Sequence, residues 1–411
     1  GGDPMRWSRS LGAMGVGSLV VAGAALVGVM GAGPPPGPPP PPPPPPAPGR
    51  PFAGLPNAAL ARWNAGLQQF LKVEDVASGL GPVFTENACV KCHDSAATGG
   101  AGTRLVTRIG RVVNGQFDPL IAFGGPAIQD RGIGRFNGVN FVGEVVPPQA
   151  TIVAHRRTIP LFGLGLVDAV PDSAFVALAE HEHETSPATA GVVSIATDPA
   201  TGHTRVGRFG WKAQEPTLLA FAGDAYLNEL GVTTPFFPNE NCPQGHCALL
   251  AADPARTEPN EPDNDDIQAL ADFATFLAPP PPGSLGPGER AGQALFAQVG
   301  CANCHTPTLH TGPSTVAALN WVAFAPYSDF LLHDMGPLGD GIVQGSAGPT
   351  QMRTAPLWGL RFEPNYLHDG RAPTVQSAIL AHDGQARASR NAFAGLTAAQ
   401  KSQLLAFLNS L

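Results

Sequence analysis

The sequence CVKCH at residues 89–93 returns as CANCH at residues 301–305, and the two motifs are the strongest indication of the fold. Both follow the pattern C-x-x-C-H, which attaches a c-type haem: two thiols add to the haem vinyl groups, and the adjacent histidine faces the iron. A zinc site would need four protein ligands at each place, whereas each motif already carries its own histidine. We therefore predict two covalently bound haem c groups. The predicted attachment and proximal-ligand residues are Cys89, Cys92 and His93 in the first motif and Cys301, Cys304 and His305 in the second.

Length and composition indicate a loop-rich protein with about two domains. The chain has 411 residues, and 43% of them are hydrophobic, which is enough for two cores. The formal net charge of −8 argues against a nucleic-acid partner, because phosphate binding needs a basic surface. The 50 glycines and 45 prolines favour loops, although one tract contributes many of the prolines.

The N-terminal segment is predicted to lie outside the fold. Residues 1–33 combine two arginines with an uncharged apolar run, which is typical of an export signal and is also nearly long enough for a membrane anchor. Residues 34–51 are a proline-rich linker that favours an extended polyproline helix and would act as a spacer. Either reading of residues 1–33 places the folded part outside the cytoplasm, in the periplasm or at the cell surface, and the anchor reading adds a membrane tether.

The remaining two cysteines, Cys242 and Cys247, form a third closely spaced pair. An oxidising compartment favours a disulfide that closes this small loop. A reactive dithiol is the alternative, but no helix start that would activate a thiolate is evident nearby. We therefore predict a structural disulfide.

An internal repeat extends beyond the two haem motifs. RTIPLFGL at residues 157–164 returns as RTAPLWGL at residues 353–360, and each phrase is followed by a basic residue with alanine, then Pro-Thr and an apolar helical pattern. The predicted fold is therefore mainly α: two cytochrome c-like haem domains in tandem, loop-rich, with insertions in the first. The predicted domains span residues 52–278 and 284–411, and the predicted extra loops lie around 111–150, 165–207 and 230–262.

In the second copy, Thr374 is a good N-cap for a helix on which Val375, Ala378, Ile379 and His382 share one face. This face directs His382 into an apolar interior, where it is either a core histidine or the sixth ligand of the second iron. The presence of a haem in the same domain favours the ligand. Met352 is the runner-up, since methionine is the other common sixth ligand, and further candidates are Met335, His333 and His368.

The equivalent helix of the first copy, after Thr217, carries Ala225 where the second copy has His382. Because alanine cannot bind iron, the first haem is predicted to leave room for a small molecule. Glu229 lies one turn further along the same face, beside Tyr226, and is either a general acid/base with a raised pKa or a glutamate that reaches solvent. The candidate catalytic residues are Glu229, Tyr226 and Trp211. The first copy also contains His155, His181 and His183; HEHE at 181–184 is predicted to be a solvated helix face, and a loop histidine on the resting iron stays an alternative.

Trp211 and Phe209 precede this helix in the first copy. They would either lie between the haems and help electrons pass or pack in the core. Trp358, in the second copy of the repeated phrase, is predicted to belong to the core.

Three further segments carry a family resemblance: LLHDMGP at 331–337, YLHDGRA at 366–372 and AILAHDGQA at 378–386. With the two C-x-x-C-H motifs and the paired R-T-x-P-L phrases, they resemble the bacterial di-haem oxidoreductase family over about residues 80–410. Members are described as di-haem peroxidases or thiol oxidoreductases. The family is similar to the di-haem cytochrome c peroxidases, the di-haem enzymes that mature quinone cofactors, and the di-haem rubber oxygenases.

The resemblance implies that the N-terminal haem does the chemistry and the C-terminal haem handles electrons. In the peroxidases a methionine is the sixth ligand at the place of His382, so histidine here implies a lower potential for the second haem and fits the rubber oxygenases better. The catalytic glutamate of the peroxidases falls near Glu229, after a segment that resembles RFGWKA at 208–213.

Three functions follow as hypotheses. The first is a peroxidase-like enzyme that reduces peroxide at an open N-terminal haem, with electrons from a small redox protein passing through a six-coordinate C-terminal haem. The second is an oxygenase or oxidase that uses O₂ on an organic substrate, and the third is a non-catalytic electron carrier. The sequence leaves open whether calcium binds between the two domains.

Overall fold

The computed structural model describes residues 47–411, apart from Pro126 and residues 256–259. The predicted export signal or anchor, and nearly all of the proline-rich linker, lie outside these residues. Among the residues described, no helix is long and apolar enough to cross a membrane. We call residues 47–278 the first half and residues 284–411 the second half.

Three of the α-helices among the described residues begin at a threonine N-cap. The hydroxyl of Thr217 accepts a hydrogen bond from the Ala220 amide at 3.1 Å, and Thr374 accepts one from Ser377 at 3.0 Å, as the sequence predicted. Thr397 starts the last helix in the same way. The α-helices of the described residues are α1 Asn57–Leu71, α2 Leu164–Asp168, α3 Asp172–Thr185, α4 Leu218–Leu230, α5 Asp265–Phe276, α6 Pro287–Gln298, α7 Val375–Ala381, α8 Arg387–Ala394 and α9 Ala398–Leu408.

Short strands add more β-structure than the mainly α prediction allowed. In the first half, β2 pairs with β3, β4 and β8, all antiparallel, and places Leu105 opposite Arg157. The other pairs are two-stranded. The strands are β1 Val83–Phe84, β2 Leu105–Val113, β3 Gln116–Asp118, β4 Ala127–Ile128, β5 Arg131–Gly132, β6 Gly134–Phe136, β7 Val139–Phe141, β8 Ile152–Arg157, β9 Ser194–Thr197, β10 Thr204–Gly207, β11 Leu309–His310, β12 Ala323–Phe324, β13 Leu332–Asp334 and β14 Gln351–Arg353.

Two of the segments predicted as extra loops also contain regular structure. Residues 111–150 contain short strands that pair with β1, with β2 or with one another, and residues 165–207 contain α3 and the β9–β10 hairpin. The sequence did not indicate these strands because short strands in a glycine-rich sequence lack the long alternation that identifies a strand.

The described residues from 47 to 411 belong to one compact unit, and their two largest hydrophobic cores organise it. The larger core joins α1, α4 and α5, where Phe70 and Phe273 pack with ring centroids 4.6 Å apart. It also takes in residues of the second half, including Trp358, which is buried as predicted. The smaller core lies between α6 and α9, around Phe296 and Phe407. The second half thus contributes to both cores.

The repeated phrases exchange contacts between the halves. The backbone amide of Arg157, in the first half, donates to the His368 carbonyl at 2.7 Å, and the Arg157 Nε donates to the Leu367 carbonyl. The backbone amide of Arg353, in the second half, donates to the Trp211 carbonyl at 2.9 Å, and the Arg353 Nε donates to the Gly210 carbonyl. Trp211 and His368 occupy equivalent positions, 157 residues apart, and their rings pack edge to face with centroids 6.2 Å apart. The arginine of each phrase therefore hydrogen-bonds to the backbone of the opposite half, at Leu367 and His368 or at Gly210 and Trp211.

Candidate functional site

The two C-x-x-C-H motifs adopt the same local structure. Each forms a short 3₁₀ turn, Cys89–Lys91 or Cys301–Asn303, and the following histidine amide donates to the first cysteine carbonyl, at 3.0 Å from His93 and 2.9 Å from His305. The four thiols of these motifs form no disulfide. Each motif thus presents two free thiols and one imidazole in one turn, which is the donor set that a covalent haem requires.

The tautomers of both motif histidines suit a metal ligand. His93 Nδ1 lies 3.1 Å from the Gly100 carbonyl, and His305 Nδ1 lies 2.9 Å from the Tyr327 carbonyl, so Nδ1 is the donor in each ring. Burial lowers the pKa of each imidazole to about 4. Both rings therefore stay neutral at physiological pH and keep the Nε2 lone pair free, as iron ligation demands.

A cavity of about 210 Å³ in the second half lies against its C-x-x-C-H motif. Its lining is mostly apolar and includes both cysteines of the motif, His305 and His382. His382 is the residue that follows α7, and its Nδ1 lies 2.8 Å from the Ala378 carbonyl, which again leaves Nε2 free. A charge on His382 would lower the pKa of His305, so the two rings face the same space. The chemistry of this lining suits a haem, and His305 and His382 are the two imidazoles that would face it.

The other candidate ligands line the same cavity: Met335, Met352, His333 and His368. Both ring nitrogens of His333 are engaged, Nε2 by Asp329 at 2.8 Å and Nδ1 by the Cys304 sulfur at 3.5 Å. The structure thus brings together every residue that the sequence named for this iron, and the hydrogen bonds leave His382 better prepared for ligation than His333.

In the first half, α4 carries Ala225 and Glu229 next to the C-x-x-C-H motif. Burial, and the charge of Asp224, raise the pKa of Glu229 to about 7, which favours the acid/base reading of the sequence over a glutamate that reaches solvent. Burial, and after it the charge of Glu229, raise the pKa of both motif thiols, that of Cys92 to about 12 and that of Cys89 further, so the carboxyl lies near the predicted haem attachment point. Ala225 is half-buried and offers no ligand atom.

Sequence reasoning missed two acids that accompany Glu229. Burial and the charge of Asp224 raise the pKa of Glu215 to about 9, and burial also raises the pKa of Asp224. Arg108, from β2, opposes all three shifts, and its Nε has no hydrogen-bond partner among the described residues. The first half thus gathers three carboxyl groups around one guanidinium.

An alignment of the two halves at a fixed offset would have revealed these acids. The N-caps Thr217 and Thr374 are 157 residues apart, and the same offset places Ala225 at His382. It also places the three acids of the first half at three alanines of the second: Glu215 at Ala372, Asp224 at Ala381 and Glu229 at Ala386. Arg108 had no such signal, because it comes from a strand distant in the sequence.

Tyr226 belongs to a separate buried network. Its hydroxyl donates to Glu74 at 2.8 Å and accepts from the Gln69 amide at 2.5 Å, while Lys72 lies 3.2 Å from Glu74. Burial raises the pKa of Tyr226 further above its ordinary value. The side chain of Tyr226 is therefore fixed by Glu74 and Gln69 rather than held ready beside Glu229.

Trp211 lines the cavity of the second half although it belongs to the first. It is buried, its indole N–H donates to the Arg157 carbonyl at 2.9 Å, and the Arg157 guanidinium lies 5.7 Å from the ring centroid. Phe209 instead packs towards Phe221 in the larger core, with centroids 6.5 Å apart. Trp211 is the member of the pair that lies between the halves.

The remaining histidines of the first half are exposed. His155 lies in β8 near the Thr107 hydroxyl, at 3.2 Å, and His181 and His183 lie on the surface of α3. The prediction that HEHE is a solvated face is wrong for Glu182, which is 5% exposed and accepts the Gly191 amide at 2.9 Å. The charged neighbours of Glu182 come from the second half, which the sequence could not show.

Cys242 and Cys247 form the predicted disulfide. Within the loop they close, the Gln244 amide donates to Glu144 at 2.7 Å, and Gln244 Nε2 donates to the Phe123 carbonyl at 2.6 Å. These contacts fasten the loop to the body of the first half and agree with a structural disulfide.

Comparison with known proteins gives one family. The sequence model of the family described as "Di-haem oxidoreductase, putative peroxidase" matches residues 146–411. No curated protein matches the chain.

Solved structures are similar only at low identity. A hydrazine synthase from Kuenenia stuttgartiensis shares 15% identity, with a TM-score of 0.38, over 96% of this chain and 100% of its own. A MauG-like protein associated with microbial copper homeostasis shares 15%, with a TM-score of 0.38, over 85% and 89%. A variant of the diheme peroxidase BthA from Burkholderia thailandensis shares 14%, with a TM-score of 0.37, over 88% and 86%.

Proposed function

Because the chain belongs to the di-haem oxidoreductase family, we propose that it is a peroxidase-like c-type enzyme. Its first half reduces a small oxidant such as hydrogen peroxide, and its second half passes the electrons from a small redox protein. Two electrons and two protons convert one peroxide to two waters. Bound haem would supply the iron that binds the oxidant and carries the electrons.

The residues that would hold the two haems are those of the C-x-x-C-H turns. Cys89 and Cys92 attach the first and Cys301 and Cys304 the second, each through two thioether bonds. His93 and His305 would each offer Nε2 as an iron ligand, because Nδ1 is held by a backbone carbonyl. In the second half, His382 would offer a further Nε2, since its Nδ1 is held by the Ala378 carbonyl.

The difference between the halves at equivalent positions carries this proposal. Where the second half has His382, the first half has Ala225, which offers no ligand atom and would leave room for an external molecule. Where the second half has Ala386, the first has Glu229, with a pKa raised to about 7. A carboxyl with a pKa near neutrality can accept the first peroxide proton and return it to the leaving oxygen.

Trp211 supports a route between the halves. It lines the second cavity, precedes α4 of the first half in the chain, and packs against His368 at the contact between the halves. A rigid aromatic side chain at this place shortens the distance that an electron must cross through saturated groups. Its hydrogen bond to the Arg157 carbonyl keeps the indole in one orientation.

An extracytoplasmic location is part of the proposal. The apolar run in residues 1–33 favours export, and a disulfide such as Cys242–Cys247 persists in an oxidising compartment. A cleaved signal peptide and a retained membrane tether both agree with it.

A spectroscopic count of haem types tests the proposal. The purified protein should contain one high-spin and one low-spin ferric haem, and its reduced form should bind one CO. In the matched variant Ala225→His, the new imidazole should occupy the open position, turn the first haem low-spin and abolish CO binding and peroxide turnover. Two low-spin haems and no CO binding in the native protein would leave only an electron carrier.

His382 also favours the oxygenase as a second candidate, because a second imidazole gives a lower potential than methionine would. Peroxide turnover with a reduced small cytochrome, compared with O₂ uptake on an unsaturated organic substrate, separates the two. Rapid peroxide consumption without O₂ uptake supports the peroxidase, and the reverse supports the oxygenase.

A further inference from the structure

Lys212 is a fully buried cation surrounded by oxygen atoms. Its Nζ donates to the Gln351 carbonyl at 2.6 Å and the Gly348 carbonyl at 3.0 Å, and it lies 3.4 Å from the Pro349 carbonyl. Asp340 approaches the same nitrogen, with Oδ1 at 2.9 Å. Four acceptors therefore converge on an ammonium that has three N–H donors.

The charge of this cluster comes from three side chains. Asp340 is 1% exposed at its side chain and also pairs with Arg156 at 2.7 Å. Burial raises the pKa of Asp340, but the charges of Arg156 and Lys212 outweigh it and hold the pKa below its ordinary value. Asp340 is thus ionised, and the carbonyl oxygens around Lys212 supply the remaining partners that a buried ammonium requires.

The cluster joins the two halves next to Trp211. Lys212 follows Trp211 in the first half, whereas Asp340 and the three carbonyls belong to the second half. The amide of Arg353, just beyond these carbonyls, donates to the Trp211 carbonyl. The cation therefore fixes the segment that carries the proposed electron route.

Backbone carbonyls and one carboxylate are the ligands that calcium takes, at 2.3–2.6 Å in a set of about six to eight oxygens. In this chain Nζ already lies within 3.4 Å of all four oxygens. An ion at calcium distances from these oxygens would overlap with the ammonium. The residues present do not fit a calcium ion between the halves.

We propose that the Lys212 ammonium takes the place of a metal ion between the two halves. The chain carries this cation covalently, so its assembly does not depend on calcium. Removal of the side chain should leave an oxygen-lined site, completed by water, that binds calcium. This inference is independent of the proposed peroxidase activity.

Calcium titration of the holoprotein tests the first part. In the native protein, calorimetry should detect no binding at this site, and neither excess CaCl₂ nor a chelator should shift the Tm or the haem spectrum. A calcium-dependent rise in Tm, lost on chelation, would overturn the proposal.

The variant Lys212→Ala tests the second part. It should melt below the native protein without calcium and bind one Ca²⁺ with a Kd of about 10⁻⁴ to 10⁻³ M, as expected for a site with one carboxylate. Millimolar to tens of millimolar CaCl₂ should raise its Tm by about 3 °C or more, and Mg²⁺ should do less, since it demands stricter geometry.

Two controls separate a metal site from a general effect of calcium. Lys212→Met fills the same volume without a charge and should not respond to calcium. Adding Asp340→Asn to Lys212→Ala should remove the response. If Lys212→Ala ignores calcium, or fails to fold even when produced with calcium, the donor set does not form a cation site and the proposal fails.

Discussion

Glu229 is a carboxylic acid whose surroundings favour its protonated form. Burial and the Asp224 charge raise its pKa to about 7, so it exchanges a proton near neutral pH. Replacement by glutamine keeps the shape and removes the exchange. We expect Glu229→Gln to lower peroxide turnover by roughly 10²- to 10⁴-fold while the haem spectra stay unchanged. Steady-state rates across pH measure this. The change of rate near pH 7 that the native protein shows should be absent in the variant.

Glu184→Gln is the matched control, because Glu184 is exposed on α3. Its turnover should equal that of the native protein. An unchanged rate in Glu229→Gln would transfer the proton step to another acid, and Glu215, with its pKa raised to about 9, would be the next residue to replace.

His382 is expected to control the spin state of the second haem. In His382→Gly the second axial nitrogen is lost, so the low-spin signal should turn high-spin, while the first haem keeps its spectrum. Electron paramagnetic resonance of the ferric protein measures both signals. Met352→Leu is the control and should leave the spectrum unchanged; a low-spin signal that survives in His382→Gly and disappears in Met352→Leu would assign Met352 instead.

At the scale of elements, helix α3 is exposed at His181, His183 and Glu184 but buries Glu182 against the second half. Burial, followed by the charge of Asp329, raises the pKa of Glu182 from 4.5 to about 7. The neighbouring His333, paired with Asp329 at 2.8 Å, has its pKa raised well above 6.5. Arg353 also faces this cluster and interacts with Asp329, and so do the motif residues Cys304 and His305. Both raised pKa values mean that the native state holds more protons than the unfolded state.

Stability should therefore fall as pH rises. Glu182 loses its contribution between about pH 4.5 and about 7, and His333 loses its contribution above about pH 6.5, because in each window the folded state must release a proton that the unfolded state has already lost. Glu182→Gln should flatten the fall in Tm between about pH 5 and about pH 7. Thermal melts across this range measure it, and equal slopes in native protein and variant would contradict the burial of an acid here.

Elements with strong local signals were predictable from the sequence. The helices after Thr217 and Thr374 begin where their caps indicate, since the cap and the apolar spacing act locally. The strands of residues 111–150 and the burial of Glu182 were not predictable, because pairing with β2 and contact with Asp329 join residues that are distant in the sequence. The division into two cytochrome c-like domains stays a prediction.

The haem sites were predictable in their parts rather than in their surroundings. Both C-x-x-C-H turns and the cavity with His382 agree with the motifs, and the family confirms the resemblance. The ring of acids around Arg108 and the Lys212 cluster depend on side chains that only the tertiary fold brings together.

At the scale of the whole molecule, Arg157 joins the halves through a buried ion pair with Glu363. Removing one partner leaves a buried charge without compensation, so Arg157→Met should cost about 3–5 kcal/mol in the free energy of unfolding. Adding Glu363→Leu should recover most of this loss. Chemical denaturation of the holoprotein measures both variants.

The exposed pair of Arg371 and Asp369 provides the comparison. The Arg371 side chain is 52% exposed, and Arg371→Met should cost at most about 1 kcal/mol. If Arg157→Met costs no more than this control, the Arg157–Glu363 pair contributes little to holding the halves together.

The crossed contacts of Arg157 and Arg353 restrict which substitutions each copy of the repeated phrase can accept. Each arginine lies in one copy but donates to the backbone of the other, at His368 or Trp211. A substitution at either arginine therefore alters a contact with the opposite half. The equivalent positions Ala225 and His382 differ between the halves, whereas the phrase that makes these crossed contacts is written in both.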